Sequence, residues 1–161
     1  MSFDSFLDLV NSPVYVVTVA ADGVRAGCLV GFAGQCSMSP ARFVVWLSRE
    51  NHTYRLACRA RSLAVHLLPQ RHDLAERFGG ECGAEHDKFD GLDWTEGPEG
   101  TPLLSDASAW FTGRIVERFD AGDHVGFLLA PTGAQVGPDA SPDVLMLRQA
   151  LDVTAGHPVA D

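Results

Sequence analysis

The sequence predicts a mainly β fold, in which a small antiparallel barrel carries a few short helices at its ends. Several segments are rich in β-branched and aromatic residues, as strands of a half-buried sheet are. Asp22-Gly23 stands between two of these segments and is typical of a two-residue hairpin turn, which needs a positive φ at both positions. Strands do not alternate with long helices, so a doubly wound parallel sheet is disfavoured.

The predicted elements follow one another along one domain, 1–161, with its core at about residues 10–150. Short helices are expected at residues 2–10, between residues 48 and 58, and at 70–78. Strands are expected at residues 13–20, 24–32, 43–48, 63–68, 107–119, 122–130 and 144–147, with a short segment at 132–136. Residues 81–102 form a long polar loop in this interpretation, and the tail from Arg148 onward is loosely held.

Composition and charge exclude several classes of partner. The formal net charge is -9 and no block of lysine or arginine is present, which argues against nucleic acid or an anionic membrane. The N-terminus lacks the pattern of a signal peptide, and no apolar run approaches the roughly 20 residues of a membrane span. A cytoplasmic location without a membrane partner is therefore predicted.

Residues 25–40 form the segment around which the chain is organised. They read as a strand that enters a turn of small residues closed by Pro40. Gly31, Ala33 and Gly34 leave backbone amides uncovered, beside the polar side chains of Gln35, Ser37 and Ser39. Such a bare backbone suits a flat, carbonyl-rich or anionic ligand. A β-bulge followed by an ordinary loop is the alternative.

A second candidate ligand segment begins at Ser48. Ser48 or Asn51 can cap a helix whose start also carries His52 and Thr53. The amides and the dipole of a helix N-terminus suit a phosphate. A capped surface helix with solvated charges is the plainer interpretation of the same residues.

Histidines and cysteines give weaker signals. His66 alternates with apolar neighbours and is expected to be structural, and His124 beside Asp123 at a strand start can be a turn histidine. The four cysteines contain no C-x-x-C pair and are expected to be reduced and structural, with Cys36 in the candidate ligand turn as the exception. Cys82 and His86 are too few to predict a metal, and none is expected.

Several segments, taken together, resemble the flavin reductase-like, FMN-binding split-barrel family. They occur in the family's order over roughly residues 10–150, and two of them are fairly specific: Gly122-Asp-His before an apolar strand, and Phe89-x-Gly-Leu-x-Trp94 in the middle loop. The resemblance also rests on residues 27–37 with Ser39-Pro40, 48–54, 63–68, 75–80, 102–104 and 109–110.

The resemblance implies an NAD(P)H-dependent flavin reductase. Its members form homodimers of antiparallel, Greek-key-like split barrels, pass a hydride from NADH or NADPH to FMN or FAD, and often supply a partner monooxygenase with reduced flavin. His124 would then lie by the reacting ring as the catalytic residue. By position, the flavin would contact Cys28, Leu29, Val30, Gly31, Phe32, Gln35, Cys36, Ser37, Ser48, Asn51, His52 and Thr53.

Two alternatives stand beside the reductase. The chain could be a non-catalytic flavin-binding module, such as a carrier or sensor, or the barrel could hold another cofactor, such as FAD, a deazaflavin or haem. The chain also departs from many relatives, which have hydroxyl side chains where it has Leu29, Val30 and Gly31. Flavin binding would then depend more on backbone amides.

Overall fold

The computed structural model describes residues 2–80 and 87–150. Its α-helices are α1 (Phe3–Leu7), α2 (His52–Ala57) and α3 (Asp73–Gly80). Its strands are β1 (Tyr15–Ala21), β2 (Val24–Val30), β3 (Ala33–Met38), β4 (Ala41–Ser48), β5 (Ser62–Leu67), β6 (Trp94–Glu96), β7 (Pro102–Leu104), β8 (Ala109–Asp120) and β9 (His124–Val136). Two 3-10 turns span Pro98–Gly100 and Leu147–Ala150. Within these two ranges, the helices are too short or too polar to cross a bilayer.

Seven strands form one antiparallel sheet in the order β2-β1-β5-β8-β9-β4-β3, and β6 and β7 form a separate pair. Strands β2 and β3 lie at opposite ends of this order, although only Gly31 and Phe32 connect them. The two ends of the sheet must therefore meet, so the sheet curves into a barrel that stays open between β2 and β3. The prediction of a mainly β, antiparallel barrel with short peripheral helices is confirmed.

Alternate residues of β1 enter two different hydrophobic cores. Val17 packs inside the barrel with Val45, Leu56 and Phe127, all at most 1% exposed. Val16 points the other way and packs with Phe78 of α3 and with neighbours at the outer face of the sheet. This arrangement follows from the two-residue period of a strand. It fixes α2 and α3 on opposite sides of β1 and β2.

Three segments differ from their predicted structure. Residues 33–38 were expected in a turn but form edge strand β3. Their small side chains have little strand propensity, and the strand is stabilised by its hydrogen bonds with β4. Strand β9 continues through Pro131, whereas two separate segments, 122–130 and 132–136, were predicted. Pro131 lies at a register shift, where its missing N–H is tolerated. Residues 144–147 form no strand: Met146 makes an isolated bridge with Pro13, which has no N–H with which to extend a ladder, and the 3-10 turn begins at Leu147.

Two further predictions concern turns and loops. Asp22 and Gly23 both have positive φ, 54° and 76°, so the predicted hairpin turn is present. The loop predicted at 81–102 contains β6, and its residues 81–86 lie outside the described part of the chain. The tail predicted to be loosely held lies, from residue 151 onward, outside that part as well.

Candidate functional site

A cavity of about 290 Å³ opens where the end of β2, the end of β4, the start of α2 and the start of β9 meet. We call it the central cavity. Its lining consists of Cys28, Leu29, Val30, Gly31, Phe32, Trp46, Leu47, Ser48, Asn51, Asp123, His124 and Leu147. Eight of the thirteen residues predicted from the sequence to bind a ligand or to act in catalysis are therefore brought together here.

Strand β2 offers its backbone to this cavity. Among the described strands it pairs only with β1, so the peptide groups on its other edge have no strand partner. At Gly31, a Cβ atom would lie 3.3 Å from Cδ1 of Leu147, so a side chain there would crowd the opening. Glycine at this position lets a flat ligand approach the chain closely.

The start of α2 is closed by hydrogen bonds of its own. Asn51 is the N-cap, and its Oδ1 accepts from the backbone N of Thr53 at 2.8 Å. The backbone N of Tyr54 donates to the carbonyl O of Asn51, and that of Asn51 donates to the carbonyl O of Ser48. Ser48 Oγ also accepts from the backbone N of Glu50 at 3.3 Å. This turn therefore presents side-chain groups of Ser48 and Asn51 rather than a set of open amides.

Cys28, which lines the cavity, and Thr53, which does not, are both buried. Cys28 is 2% exposed and Thr53 is 1% exposed. Burial raises the pKa of the Cys28 thiol to about 11, although a hydrogen bond with Thr53 and the charge of Lys88 act to lower it. Cys28 is therefore a neutral, weakly polar part of the wall. Thr53 is not among the residues that line the central cavity, and its assignment to a phosphate stays a prediction.

His124 begins β9 and is oriented by its neighbour. Its Nδ1 lies 2.8 Å from Oδ1 of Asp123. A carboxylate accepts, so Nδ1 carries the proton of the neutral ring and Nε2 is the nitrogen left for other partners. The same hydrogen bond lowers the pKa of Asp123, which keeps this carboxylate ionised. The His124 ring also lies 5.0 Å from the Phe32 ring, between centroids, at an angle of 51°.

A second, shallower space adjoins the central cavity. This outer depression of about 300 Å³ is lined by Phe32, Trp46, Ala121, Asp123 and His124, and all of these except Ala121 also line the central cavity. These four shared residues, Phe32, Trp46, Asp123 and His124, thus form the boundary between the two spaces. Such a geometry can hold two flat rings in contact.

Four predicted residues lie elsewhere. Gln35, Cys36 and Ser37 are on edge strand β3, where Gln35 and Cys36 are exposed, and none of them lines the central cavity. His52 lines a separate cavity with residues at the start of β2. No observation tests their contact with a flavin, so it stays a prediction. Within residues 2–80 and 87–150, no three histidine, cysteine or acidic residues are grouped to hold a metal; Cys82 and His86 lie outside these ranges.

Comparison with protein-family models identifies the family. Residues 7–154 match the model described as "Flavin reductase like domain". The chain belongs to this family. The resemblance noted in the sequence is therefore confirmed, and the match covers nearly all of the described residues.

Three curated relatives of this flavin reductase-like protein are informative. It is 28% identical to a ferric-chelate reductase (NAD(P)H) of Archaeoglobus fulgidus, over 79% of the chain and 77% of that protein. It is 32% identical to an FMN reductase (NADH) of Methylorubrum extorquens over 70% of the chain, and 28% identical to the reductase subunit of a flavin-dependent monooxygenase of Rhodococcus jostii over 69%. The matches span only 66% and 56% of the latter two proteins.

A solved structure agrees with the fold. A flavin reductase domain protein of an Arthrobacter species superposes with a TM-score of 0.80 at 24% identity, covering 98% of this chain and 94% of that one. At this identity the likeness concerns the fold alone. It supports the split barrel found here.

The central cavity of this flavin reductase-like protein suits a flavin ring. Leu29, Val30 and Trp46 supply apolar surface, and the open edge of β2 supplies peptide donors and acceptors for the polar edge of the ring. Trp46 and Leu147 were missed by the sequence interpretation. Trp46 lies in a strand that the sequence indicates only as buried, and Leu147 is held at the cavity by a contact distant in sequence, in which its backbone N donates to the carbonyl O of Ser12 at 2.7 Å.

Proposed function

We propose that this protein is an NAD(P)H-dependent flavin reductase that passes a hydride to FMN or FAD. The observation that carries this proposal is the convergence of the open edge of β2, the side chains of Ser48 and Asn51, and the His124–Asp123 pair on one cavity. The names of the relatives, which are FMN and ferric-chelate reductases, support it.

In this proposal the flavin ring lies in the central cavity and the nicotinamide ring in the outer depression. The redox chemistry belongs to these two rings when they are bound. The protein holds them against each other, and water is excluded by Phe32, Trp46 and Leu147. Backbone groups at the end of β2 bind the polar edge of the flavin, and Ser48 and Asn51 contact its ribityl chain.

His124 acts at the boundary between the two rings. Asp123 fixes the ring orientation through Nδ1, which leaves Nε2 to donate or accept a hydrogen bond at the reacting edge. These two residues would therefore order the nicotinamide and assist proton uptake after hydride transfer.

Steady-state oxidation of NADH and NADPH with FMN, FAD or riboflavin as acceptor tests this function. The His124→Ala change is expected to lower kcat/KM for the reduced nicotinamide about 10- to 100-fold, since positioned acid–base groups contribute on that scale or above. The affinity for flavin alone, measured by fluorescence quenching, should change by no more than about twofold, because the ring has other contacts.

The control is Asp123→Asn, which keeps an oxygen acceptor for Nδ1 but removes the charge, and a smaller loss is expected. Unchanged turnover and nicotinamide affinity in His124→Ala would remove His124 from the mechanism. A wild-type protein that binds flavin but oxidises neither nicotinamide would be a flavin carrier or sensor instead of a reductase.

A homodimer and a monooxygenase partner complete the proposed function. Among the described strands, edge strand β3 pairs only with β4, so one row of its peptide groups has no strand partner there, and its Met38 is 85% exposed. A second copy packed against this strand would bring Gln35, Cys36 and Ser37 close to a flavin of its neighbour. The monooxygenase partner is suggested by the relative that is itself a reductase subunit.

A further inference from the structure

The turn between β8 and β9 carries Asp123 to the edge of the site. Residues 120–123 connect the end of β8 to the start of β9, and we call them the β8–β9 turn. Ala121 and Asp123 line the outer depression, and His124 follows as the first residue of β9. Ala121, Gly122 and Asp123 are all exposed, so core packing does not hold them. The position of Asp123, which orients His124, therefore depends on the polar contacts of the turn.

Two of these contacts lie within the hairpin itself. The backbone N of Ala121 donates to the carbonyl O of His124 at 3.1 Å. The backbone N of Gly122 donates to Oδ1 of Asp120 at 3.2 Å. Gly122 has a φ of 137°, a conformation that favours glycine, and glycine loses more conformational freedom on ordering than any other residue. Contacts from outside the hairpin therefore matter for keeping this turn in one shape.

Arg49, in the segment between β4 and α2, supplies such contacts at three points. Its backbone N donates to the carbonyl O of Asp123 at 2.9 Å. Its side-chain Nε donates to the carbonyl O of Gly122, also at 2.9 Å. Its Nη2 lies 2.7 Å from Oδ1 of Asp120. One residue thus holds three residues of the β8–β9 turn, including the one that precedes His124.

The guanidinium of Arg49 is itself held in one orientation. Its Cζ lies 6.0 Å from the centroid of the Tyr54 ring, and its Nη1 lies 3.4 Å from the Tyr54 hydroxyl O. The hydrogen bond from Arg49 is the main cause that lowers the pKa of Asp120, so this carboxylate stays ionised. The Arg49 and Asp120 side chains are 40% and 73% exposed, so the ion pair alone contributes little. The planar fork, which bonds a carbonyl and a carboxylate at once, fixes the geometry.

We propose that Arg49 is a positioning residue for nicotinamide oxidation, because it holds the β8–β9 turn where Asp123 can keep its hydrogen bond to Nδ1 of His124. The inference rests on the proposed function, in which the His124–Asp123 pair orders the nicotinamide. Arg49 is not among the residues that line the central cavity or the outer depression. It therefore acts through Asp123 and His124, and does not contact the reacting rings.

Steady-state kinetics of Arg49→Met test this role, because methionine keeps an apolar stem and has no side-chain donor. The value of kcat/KM for the reduced nicotinamide is expected to fall about 3- to 20-fold, since a small misplacement of positioned groups is costly. In the His124→Ala background the same change should cost less than about twofold, because residues that act as a unit are not additive. Arg49→Lys keeps the charge without the fork and should give an intermediate loss.

Arg118→Met is the matched control. Arg118 is an exposed residue of β8, its Nη2 donates to the carbonyl O of Cys58 at 2.7 Å, and its Cζ lies 5.6 Å from the centroid of the Phe127 ring. The control therefore removes the same charge and similar contacts away from the β8–β9 turn. Its kcat/KM should stay within about twofold of the wild-type value. Equal losses in the two arginine variants, or a full loss from Arg49→Met in the His124→Ala background, would overturn the proposal.

NMR of the histidine ring nitrogens provides a readout that does not depend on turnover. At a pH where the ring is neutral, the wild-type spectrum should show the His124 proton on Nδ1, and the signal is assigned by its absence in His124→Ala. Arg49→Met should mix the two tautomers, and Arg118→Met should not. An unchanged tautomer in Arg49→Met would contradict the positioning role. A wild-type protein that oxidises neither nicotinamide would reject the proposed function, and the spectrum would still decide whether Arg49 orders the His124–Asp123 pair.

Discussion

His66 couples the stability of the barrel to pH through one buried ring. It is fully buried on β5, where Nδ1 lies 2.9 Å from the carbonyl O of Val16 and the backbone N of Leu104 donates to Nε2 at 3.1 Å. These partners require the neutral ring with its proton on Nδ1. Burial lowers the pKa of His66 from 6.5 to about 4, although the bond to Val16 acts to raise it.

The sign of the pH effect follows from this shift. The unfolded chain takes up a proton at His66 below pH 6.5, whereas the folded protein does so only near pH 4. Stability is therefore complete above pH 6.5 and falls between pH 6.5 and about 4, by on the order of 3 kcal/mol for this group. Urea unfolding at several pH values measures it.

The matched variant is His66→Gln, whose amide can accept from Leu104 and donate to Val16 but does not titrate. It should be less stable at neutral pH by about 1–3 kcal/mol, yet lose less stability on acidification than the wild type does. Parallel pH profiles for the two proteins would show that His66 is not the group responsible.

At the scale of elements, the pairing of β4 with β9 positions the largest side chain of the site. Trp46 faces Gly126 across the two strands. A Cβ at Gly126 would lie 2.6 Å from Cζ3 of the Trp46 ring, so the ring occupies the space that glycine leaves. Trp46 lines both the central cavity and the outer depression. Gly126 on β9 therefore determines the position of the Trp46 ring in the wall of the central cavity.

Gly126→Ala is expected to destabilise the protein by about 1–3 kcal/mol, because the Trp46 ring must shift out of a well-packed position. The shift should also weaken flavin binding several-fold in fluorescence titration. Gly133→Ala is the control on the same strand, since its Cβ would meet only Oγ1 of Thr112 at 3.4 Å. Equal effects of the two changes on flavin affinity would argue against a specific role of the Trp46–Gly126 pair.

At the scale of the whole molecule, an apolar groove suggests how two chains associate. It measures about 260 Å³ and runs over the sheet between Tyr15, Phe43, Phe111 and Val136, among others. Val136 at the end of β9 is 72% exposed. Large apolar side chains exposed together are typical of association surfaces. This groove and edge strand β3 are the surfaces on which the proposed homodimer would form.

Val136→Asp should convert the dimer to a monomer, because it places a charge in an apolar contact. Light scattering after gel filtration measures the mass, and the wild-type protein is expected at twice the mass of the chain. Leu9→Asp is the control, since Leu9 is 82% exposed near α1, outside the residues that line this groove. A wild-type monomer, or a Val136→Asp variant that remains a dimer, would contradict this assignment.

The fold class and most strands of this protein follow from local sequence. Apolar segments, β-branched and aromatic in β1 and β4, together with the Asp22-Gly23 turn predict β1, β2, β4 and β5 from local sequence. The family also follows from the sequence, because its motifs stand in order along the chain. In the candidate site, the end of β2, Ser48, Asn51 and His124 line one cavity, and their contact with a flavin stays a prediction.

Long-range contacts decided the rest. Strand β3 exists because β4 pairs with it, and Leu147 reaches the central cavity because its turn is tied to Ser12, more than 130 residues earlier in the chain. Several amides at the start of α2 are used by its own cap, and Lys88 donates to the carbonyl oxygens of Gly27 and Phe78, which belong to two other elements. Composition and spacing determine most of the elements that form. Which polar groups remain available to a ligand depends on tertiary packing, because hydrogen bonds between distant segments occupy the others.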